Sequence, residues 1–159
     1  MMKVTLITLG RLKEKYLREA VAEYEKRLSR YCDLEIIELE PVRLSEKPSR
    51  AEIDSALEKE AEMIFKKIPK NSEVCTLCVE GKQLSSEEFA DRFSDLSQQG
   101  RGLTLIIGSS YGLSQSVKAL SAVRLSLSKM TFPHQLFRVM LLEQVYRAFK
   151  INEGSTYHK

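Results

Sequence analysis

The chain has 159 residues, 43% of them hydrophobic and 30% charged, which is typical of one folded domain over residues 1–159 and excludes a disordered chain. No apolar run reaches membrane-spanning length and no charged-then-apolar leader opens the chain, so we expect a cytoplasmic protein outside the membrane. A net charge of +3 does not indicate nucleic-acid binding by bulk charge, so a basic patch would have to be local.

Hydrophobic periodicity predicts strands that alternate with helices along the whole chain. The first half contains, in order, a strand over 3–9, a helix over about 13–30, a strand over 33–40, a linker over 41–48 and a helix after Ser49. The second half contains a strand over 73–79 that ends at Gly81, a helix after Ser85, a strand over 103–107, a short helix after Ser114, a strand over 123–127 and a long helix from Pro133 towards Gly154. This alternation predicts an α/β fold with a mostly parallel sheet flanked by helices.

Capping chemistry predicts several helix boundaries. Ser49 with Glu52 and Ser85 with Glu88 have the spacing of capping boxes, in which each side chain bonds to the other residue's backbone amide. Gly100 is a typical helix stop. Apolar residues at helical spacing predict the core positions of these two helices: Ile53, Leu57, Ala61, Ile64 and Ile68 in the first, and Phe89, Phe93 and Leu96 in the second.

The last predicted helix is apolar on most of its sides. Phe137, Leu141, Val145 and Phe149 recur at helical spacing, and further apolar residues widen this surface: Leu136, Val139, Met140, Leu142 and Tyr146. A helix with so wide an apolar surface is buried on most sides. In a chain this short, the pattern predicts contact with a partner subunit as well as with the core.

Two loops follow predicted strands at the carboxyl end of the sheet, where ligands of parallel sheets bind. Residues 108–113 (GSSYGL) expose backbone amides that suit an anionic or carbonyl-rich ligand, although an ordinary strand-to-helix turn explains them equally well. Their glycines match neither a Walker loop nor a dinucleotide fingerprint. Residues 128–132 (SKMTF) combine a charge, hydroxyls and apolar side chains, which suits a nucleoside-like ligand. The alternatives are a helix cap at Thr131 and core packing of Met130 and Phe132.

The three cysteines do not indicate a disulfide framework, because their number is odd. Cys75 and Cys78 match C-x-x-C, but residues three apart on a strand point to opposite faces. The pattern therefore favours two small core residues over a metal or redox pair. Only His134 and His158 could add imidazole ligands, so we predict no metal site.

The last three residues, Tyr157, His158 and Lys159, form a short tail beyond Gly154. An aromatic ring can stack on a base, an imidazole can move a proton near neutral pH, and an amine can contact a phosphate. A frayed terminus is the alternative interpretation. Three cationic residues of the preceding helix could join such a tail from either subunit: Arg138, Arg147 and Lys150.

Longer stretches of the chain resemble a known family. The segment LSLSKMTFPHQLFRVMLLEQVYRAFKI with the closing YHK, the strand-Gly-x-x-x-Gly-Leu loop at 107–113 and the opening VTLITLGRLKEKY are similar to the RlmH (YbeA-like) family. These are SPOUT-class methyltransferases of large-subunit ribosomal RNA, and the resemblance covers essentially the whole chain. It implies an α/β fold with a C-terminal trefoil knot, a homodimer, and methyl transfer from S-adenosylmethionine to N3 of a pseudouridine in 23S rRNA of the assembled ribosome.

The resemblance also implies site residues. Contacts to the cofactor would come from Leu77 and Gly108, and from the run Leu127, Ser128, Lys129, Met130, Thr131 and Phe132. We hypothesise that His158 is the general base and that Tyr157 positions the target base. Phosphate contacts are assigned to Arg138, Lys150 and Lys159.

Two positions depart from the family pattern and keep other functions open. Many relatives have Gly-Gly where this chain has Gly108 and Ser109, and some have an arginine where it has Asn152 and Glu153. The extra Cβ affects the path of the loop, and the acidic side chain weakens the attraction of RNA to the tail. One alternative is a non-catalytic ribosome-associated RNA-binding protein of the same fold. A generic α/β nucleotide-binding enzyme is the other.

Overall fold

A computed structural model describes residues 1–159, in which five strands alternate with five helices. In chain order these are β1 (Met2–Leu9), α1 (Lys15–Leu28), β2 (Cys32–Leu39), α2 (Arg50–Phe65), β3 (Ser72–Gln83), α3 (Ser86–Gln98), β4 (Gly102–Ile107), α4 (Gln115–Leu120), β5 (Val123–Ser126) and α5 (His134–Asn152). The strands form one sheet in the order β2-β1-β4-β3-β5, and every neighbouring pair is parallel. The predicted α/β class is confirmed.

The sheet carries an apolar core on each face. The larger core packs α1, α3 and α5 against one face, and the smaller core packs α2 and α4 against the other. The central strand β4 is covered on both sides, and its residues 103–107 are all buried, as its uninterrupted apolar sequence predicts. This arrangement leaves the two ends of the strands open to ligands.

The predicted helix boundaries are largely confirmed. The hydroxyls of Ser49 and Ser85 accept hydrogen bonds from the backbone amides of Glu52 and Glu88, and both capping boxes are complete. Gly100 follows α3 with a φ of 66°, a left-handed conformation that a glycine adopts without strain. The predicted core stripe of α2 is only partly right, because Ile53 and Leu57 are half-buried and Ile68 lies beyond the end of the helix.

The predicted end of the third strand at Gly81 is wrong, because β3 continues to Gln83. The register of β3 against β5 shifts between Leu77 and Lys82. A Cβ at Gly81 would lie only 2.6 Å from the carbonyl oxygen of Arg124 in β5. Glycine therefore marks a close approach of two backbones inside a strand, where the sequence pattern indicates a stop.

Cys75 and Cys78 are buried free thiols, which confirms their interpretation as core residues. Burial raises the pKa of the Cys75 thiol to about 12, so almost no reactive thiolate forms at neutral pH. None of the five helices has the length and apolarity that a bilayer crossing demands. The C-terminal trefoil knot implied by the resemblance stays a prediction.

Candidate active site

A cleft of about 530 Å³ lies at the carboxyl end of the sheet. Three neighbouring strands build it: Gly108 follows β4, Leu77 and Cys78 belong to β3, and Leu127 follows β5. Because β3 lies between β4 and β5 in the sheet, its carboxyl half forms the floor between the two loops. Half of the 20 lining residues are hydrophobic, so the cleft suits a ligand with both apolar and polar parts.

The 108–113 loop closes tightly on itself. The backbone amide of Gly112 donates to the carbonyl of Ser109 at 2.8 Å, and Gly112 has a φ of 87°. A Cβ on Gly108 would overlap the Gly112 carbonyl oxygen and lie 2.8 Å from the Leu113 side chain. Ser109 is half-buried and forms part of the cleft wall, so the closed loop accommodates a side chain at this departure from the family pattern.

The connector over residues 127–132 presents unusually free backbone. None of these residues takes part in a backbone-to-backbone hydrogen bond. Only two of their backbone groups form hydrogen bonds with side chains: the Ser128 carbonyl accepts from the Ser126 hydroxyl at 2.9 Å, and the Met130 amide donates to the Ser128 hydroxyl at 3.0 Å. The remaining amides and carbonyls are available to a ligand that reads hydrogen-bonding edges.

The alternative interpretations of this connector are wrong. Met130 is 75% exposed and Phe132 is 37% exposed, so neither is a core residue. Thr131 does not cap the last helix, because the N-cap of α5 is Pro133 and has no side-chain bond. Each of these side chains lines the cleft instead.

His134, the first residue of α5, joins the two loops of the cleft. Its side chain lines the cleft together with Gly108, which opens the other loop. Burial and, to a lesser extent, the nearby Arg138 charge lower the pKa of His134, while the neighbouring Gly108 backbone opposes this shift. A neutral imidazole is therefore favoured between the start of α5 and the end of β4.

We expect His134 to make folding stability sensitive to acid. Because its pKa is lower in the folded than in the unfolded chain, stability is fully present above about pH 6.5 and falls as acid protonates this residue. Urea unfolding of His134→Gln between pH 5 and 8 should therefore show a smaller loss of stability towards pH 5 than the wild type. His158→Gln, which changes the only other histidine, is the matched control. Identical pH dependence in His134→Gln and the wild type would contradict this assignment.

Several cleft residues were not identified from the sequence. Cys78, Val79 and Glu80 belong to the part of β3 whose continuation was missed at Gly81. Glu80 pairs with Lys118 at 2.6 Å, and this bond lowers the pKa of the carboxyl, so one wall carries an ionised pair. The signal that could have found His134 is its position directly after the connector, at the start of a helix.

The tail lies against its own helix and away from the cleft. The Tyr157 hydroxyl is 3.1 Å from both carboxylate oxygens of Glu143, and the Tyr157 ring packs edge-on against Tyr146 with centroids 5.2 Å apart. Burial, followed by the Glu143 charge, raises the pKa of Tyr157. Tyr157 therefore has defined partners within its own chain.

His158 is held on both sides of its ring. Its Nδ1 lies 3.1 Å from Nη1 of Arg147, and its Nε2 lies 2.6 Å from Oε1 of Glu87. A guanidinium can only donate, so Nδ1 accepts from Arg147 while Nε2 donates to Glu87. This bond lowers the pKa of Glu87. Neither His158 nor Tyr157 lines the cleft of the same chain.

The structure contradicts the assignment of Arg138 to RNA phosphate. Its side chain is 3% exposed, donates from Nη1 to Glu38 at 2.6 Å, and donates from Nη2 to the Gly10 carbonyl at 3.1 Å. A buried guanidinium with these partners cannot also reach a phosphate. Lys150 bonds to Glu153 at 2.6 Å, whereas Lys159 is exposed and has no carboxylate within 4.0 Å.

Comparison with known proteins identifies the family to which this fold and cleft belong. A family model described as "Predicted SPOUT methyltransferase" matches residues 2–158. This chain belongs to the SPOUT methyltransferases. The resemblance inferred from the connector, the glycine loop and the tail is thereby confirmed.

Relatives of this SPOUT methyltransferase match it from end to end. A putative ribosomal RNA large subunit methyltransferase H of Methanococcus maripaludis is 51% identical, and the ribosomal RNA large subunit methyltransferase H proteins of Clostridium acetobutylicum and Streptococcus suis are 54% and 48% identical. Each alignment covers 159 residues, which is 99% of this chain and 100% of the relative. The reaction that the cleft has to explain is therefore a methyl transfer.

Proposed function

We propose that this chain methylates N3 of a pseudouridine in 23S rRNA of the assembled ribosome, with S-adenosylmethionine as the methyl donor. The observation that carries the proposal is the cleft at the ends of β4, β3 and β5, walled by the free backbone of residues 127–132. The proposal is supported by the family and by the printed names of the full-length relatives, which act on large-subunit ribosomal RNA.

The cleft residues fit this donor. Leu77, Leu127 and Phe132 supply apolar surface for an adenine ring, and the unpaired amides and carbonyls of 127–132 can bond to its polar edge. The Gly108 loop approaches the same space without a side chain at its first residue. We assign the cofactor contacts to Leu77, Gly108 and residues 127–132. When bound, S-adenosylmethionine supplies an electrophilic methyl group on a sulfonium.

The protein's task in such a transfer is alignment and removal of the N3 proton. Holding donor and acceptor in line lowers the activation barrier by about 7–11 kcal/mol in favourable cases. We assign removal of the N3 proton to His158 and orientation of the target base to Tyr157. Both ring nitrogens of His158 are occupied by Arg147 and Glu87, so the tail must leave this position before the imidazole can act as a base.

We further propose a cytoplasmic homodimer in which the tail serves the cleft of either subunit. Leu136 at the start of α5 is 39% exposed and Met140 is half-buried, although both belong to the wide apolar surface of this helix. A second copy of α5 would cover such residues. The modest charge of +3 leads us to expect weak binding to naked RNA and dependence on the folded ribosomal target.

Transfer of a labelled methyl group from S-adenosylmethionine to ribosomes tests the proposal. Ribosomes that contain the target pseudouridine should be labelled, and ribosomes with uridine at that position should not. The same assay tests the first alternative, because a ribosome-binding protein without catalysis would not transfer the methyl group. Calorimetry with S-adenosylmethionine tests the second, because a nucleotide-binding enzyme would bind nucleotides in preference to this donor. Equal labelling of both ribosome preparations would contradict the assigned target.

His158→Ala should lower turnover on ribosomes by about 100-fold or more, the usual contribution of a general base. The affinity for S-adenosylmethionine should stay within about twofold, because the cofactor contacts are assigned to Leu77, Gly108 and residues 127–132 and not to the tail. Lys159→Ala, one residue further along the tail, is the matched control and should affect ribosome binding more than turnover. A His158→Ala enzyme with near-normal turnover would show that this imidazole is not the base.

A further inference from the structure

We propose that a groove at the amino end of the sheet, opposite the cleft, binds phosphate groups of the RNA substrate. The groove has a volume of about 460 Å³ and is lined by Lys3, Lys70, Asn71, Arg101 and the neighbouring backbone. We call it the amino-end groove. The inference rests on the proposed function, because it assumes an RNA substrate, and it adds a second contact surface to that function.

Two interlocked turns give the amino-end groove a fixed shape. Asn71 precedes β3 with a φ of 59°, and Gly100 precedes β4 with a φ of 66°. The Asn71 amide group donates to the Gly100 carbonyl at 3.0 Å, and the backbone amide of Gly102 donates to the Asn71 carbonyl at 3.1 Å. Lys70 and Arg101 are the immediate neighbours of these bonded residues. Two cations from different parts of the chain are thus held at one site.

The charges of the groove all have one sign. Its ionisable side chains are Lys3, Lys70 and Arg101, and no acidic residue lines it. Lys3 is compensated by Glu35 at 3.1 Å, but neither Lys70 nor Arg101 has a carboxylate within 4.0 Å. Ten further ion pairs join the two signs elsewhere in the chain. Uncompensated neighbouring cations repel each other, and an anion between them removes that repulsion.

Stabilisation of helix ends accounts for only part of the positive charge in the groove. Lys66, Lys67 and Lys70 follow the end of α2, where cations favourably oppose the helix dipole. Arg101 has the same relation to the end of α3, where its backbone amide donates to the Leu96 carbonyl at 2.9 Å. Each helix dipole therefore favours one cation, but neither removes the repulsion between Lys70 and Arg101 in one groove, and phosphate is the anion that such pairs of donors bind well.

Distance indicates a large polyanion and not a small ligand shared with the cleft. The six residues of β4 separate the groove at Gly102 from the cleft at Gly108, a span of roughly 20 Å at about 3.3 Å per residue. A nucleoside bound in the cleft cannot reach so far. A folded ribosomal RNA can, because its backbone offers phosphates on all sides of the target nucleotide. We therefore assign the groove to RNA backbone phosphate rather than to a free nucleotide.

Charge reversal tests the groove. We expect Lys70→Glu and Arg101→Glu each to weaken binding to 70S ribosomes about tenfold at moderate salt, measured by co-sedimentation, and to lower the slope of log affinity against log salt by about 1. The matched control is Lys59→Glu, an exposed lysine of α2 without a carboxylate partner, which should stay within about twofold. Affinity for S-adenosylmethionine should be unchanged in all three variants. The melting temperature of the two groove variants should fall by only about 1–4 °C, because a carboxylate after a helix end opposes the dipole less favourably.

The outcomes separate this inference from the proposed function. If the wild type methylates ribosomes and both groove variants bind them normally, the groove assignment is wrong and the function stands. If the wild type binds ribosomes through Lys70 and Arg101 but transfers no methyl group, the proposed reaction is wrong and the groove stands. Absence of ribosome binding by the wild type would overturn both. Competition by free ATP at the groove, with ribosome binding insensitive to the variants, would assign it to a nucleotide instead.

Discussion

Gly108→Ala should reduce the affinity for S-adenosylmethionine by about 100-fold. The new Cβ would overlap the carbonyl oxygen of Gly112 and lie 2.6 Å from its carbonyl carbon, and both are backbone atoms that cannot rotate away. The loop has to shift, and displacement of a binding group by about 1 Å costs on the order of 10²-fold in well-aligned sites. Overpacking of this kind also destabilises a fold by about 1–3 kcal/mol.

The adjacent residue provides a matched control for the glycine. Ser109 already carries a Cβ and makes no side-chain hydrogen bond within the chain, so Ser109→Ala should bind the donor within about twofold of the wild type. Calorimetric titration of both variants measures the affinity, and urea unfolding reports the stability separately. A Gly108→Ala protein that binds the donor as tightly as Ser109→Ala would show that this loop does not grip the cofactor.

Local sequence signals were sufficient where the structure is decided locally. Capping at Ser49 and Ser85 depends on residues three apart, and the burial of β4 follows from an uninterrupted apolar run. The two cleft loops could be predicted for the same reason, because each directly follows a strand in a fold whose ligand end is known. Periodicity and turn chemistry therefore identified most elements and both walls of the cleft.

The remaining features depend on which strands become neighbours. Leu77 lies in the cleft because β3 is placed between β4 and β5, an order that no periodicity encodes. Gly81 continues its strand because Arg124 of β5 passes close to it. Sequence alone assigns Arg138 to RNA phosphate because nothing in the helical pattern indicates that Glu38, 100 residues away, pairs with it. Such long-range partners become visible only when the chain is folded.

That long-range pair leads to a large expected effect on stability. The Arg138 side chain is 3% exposed, whereas its partner Glu38 is 36% exposed and lies 2.6 Å away. Removing Glu38 leaves a buried guanidinium without a counter-charge, and unpaired buried charges of this kind cost about 3–5 kcal/mol. We therefore expect Glu38→Ala to lower the free energy of unfolding by about 3 kcal/mol, at the lower end because Glu38 is partly hydrated.

Replacing the cation should be less damaging than replacing its partner. Arg138→Met removes the buried charge and keeps most of the side-chain volume, so we expect a loss of about 1–2 kcal/mol, chiefly from the bond to the Gly10 carbonyl. In the double variant Glu38→Ala with Arg138→Met, no charge is left to be unpaired, and its stability should equal that of Arg138→Met alone.

Urea unfolding of the wild type, the two single variants and the double variant measures the difference between removing Glu38 and removing Arg138. Glu35→Ala is the matched control, because Glu35 lies on the same strand β2 and pairs with Lys3 at a surface where both side chains are about half exposed. An exposed pair contributes only about 0–1 kcal/mol, so this variant should be nearly neutral. If Glu38→Ala were as mild as Glu35→Ala, water would have to reach Arg138 in solution. The guanidinium would then be free to contact phosphate, and its original assignment to RNA would have to be restored.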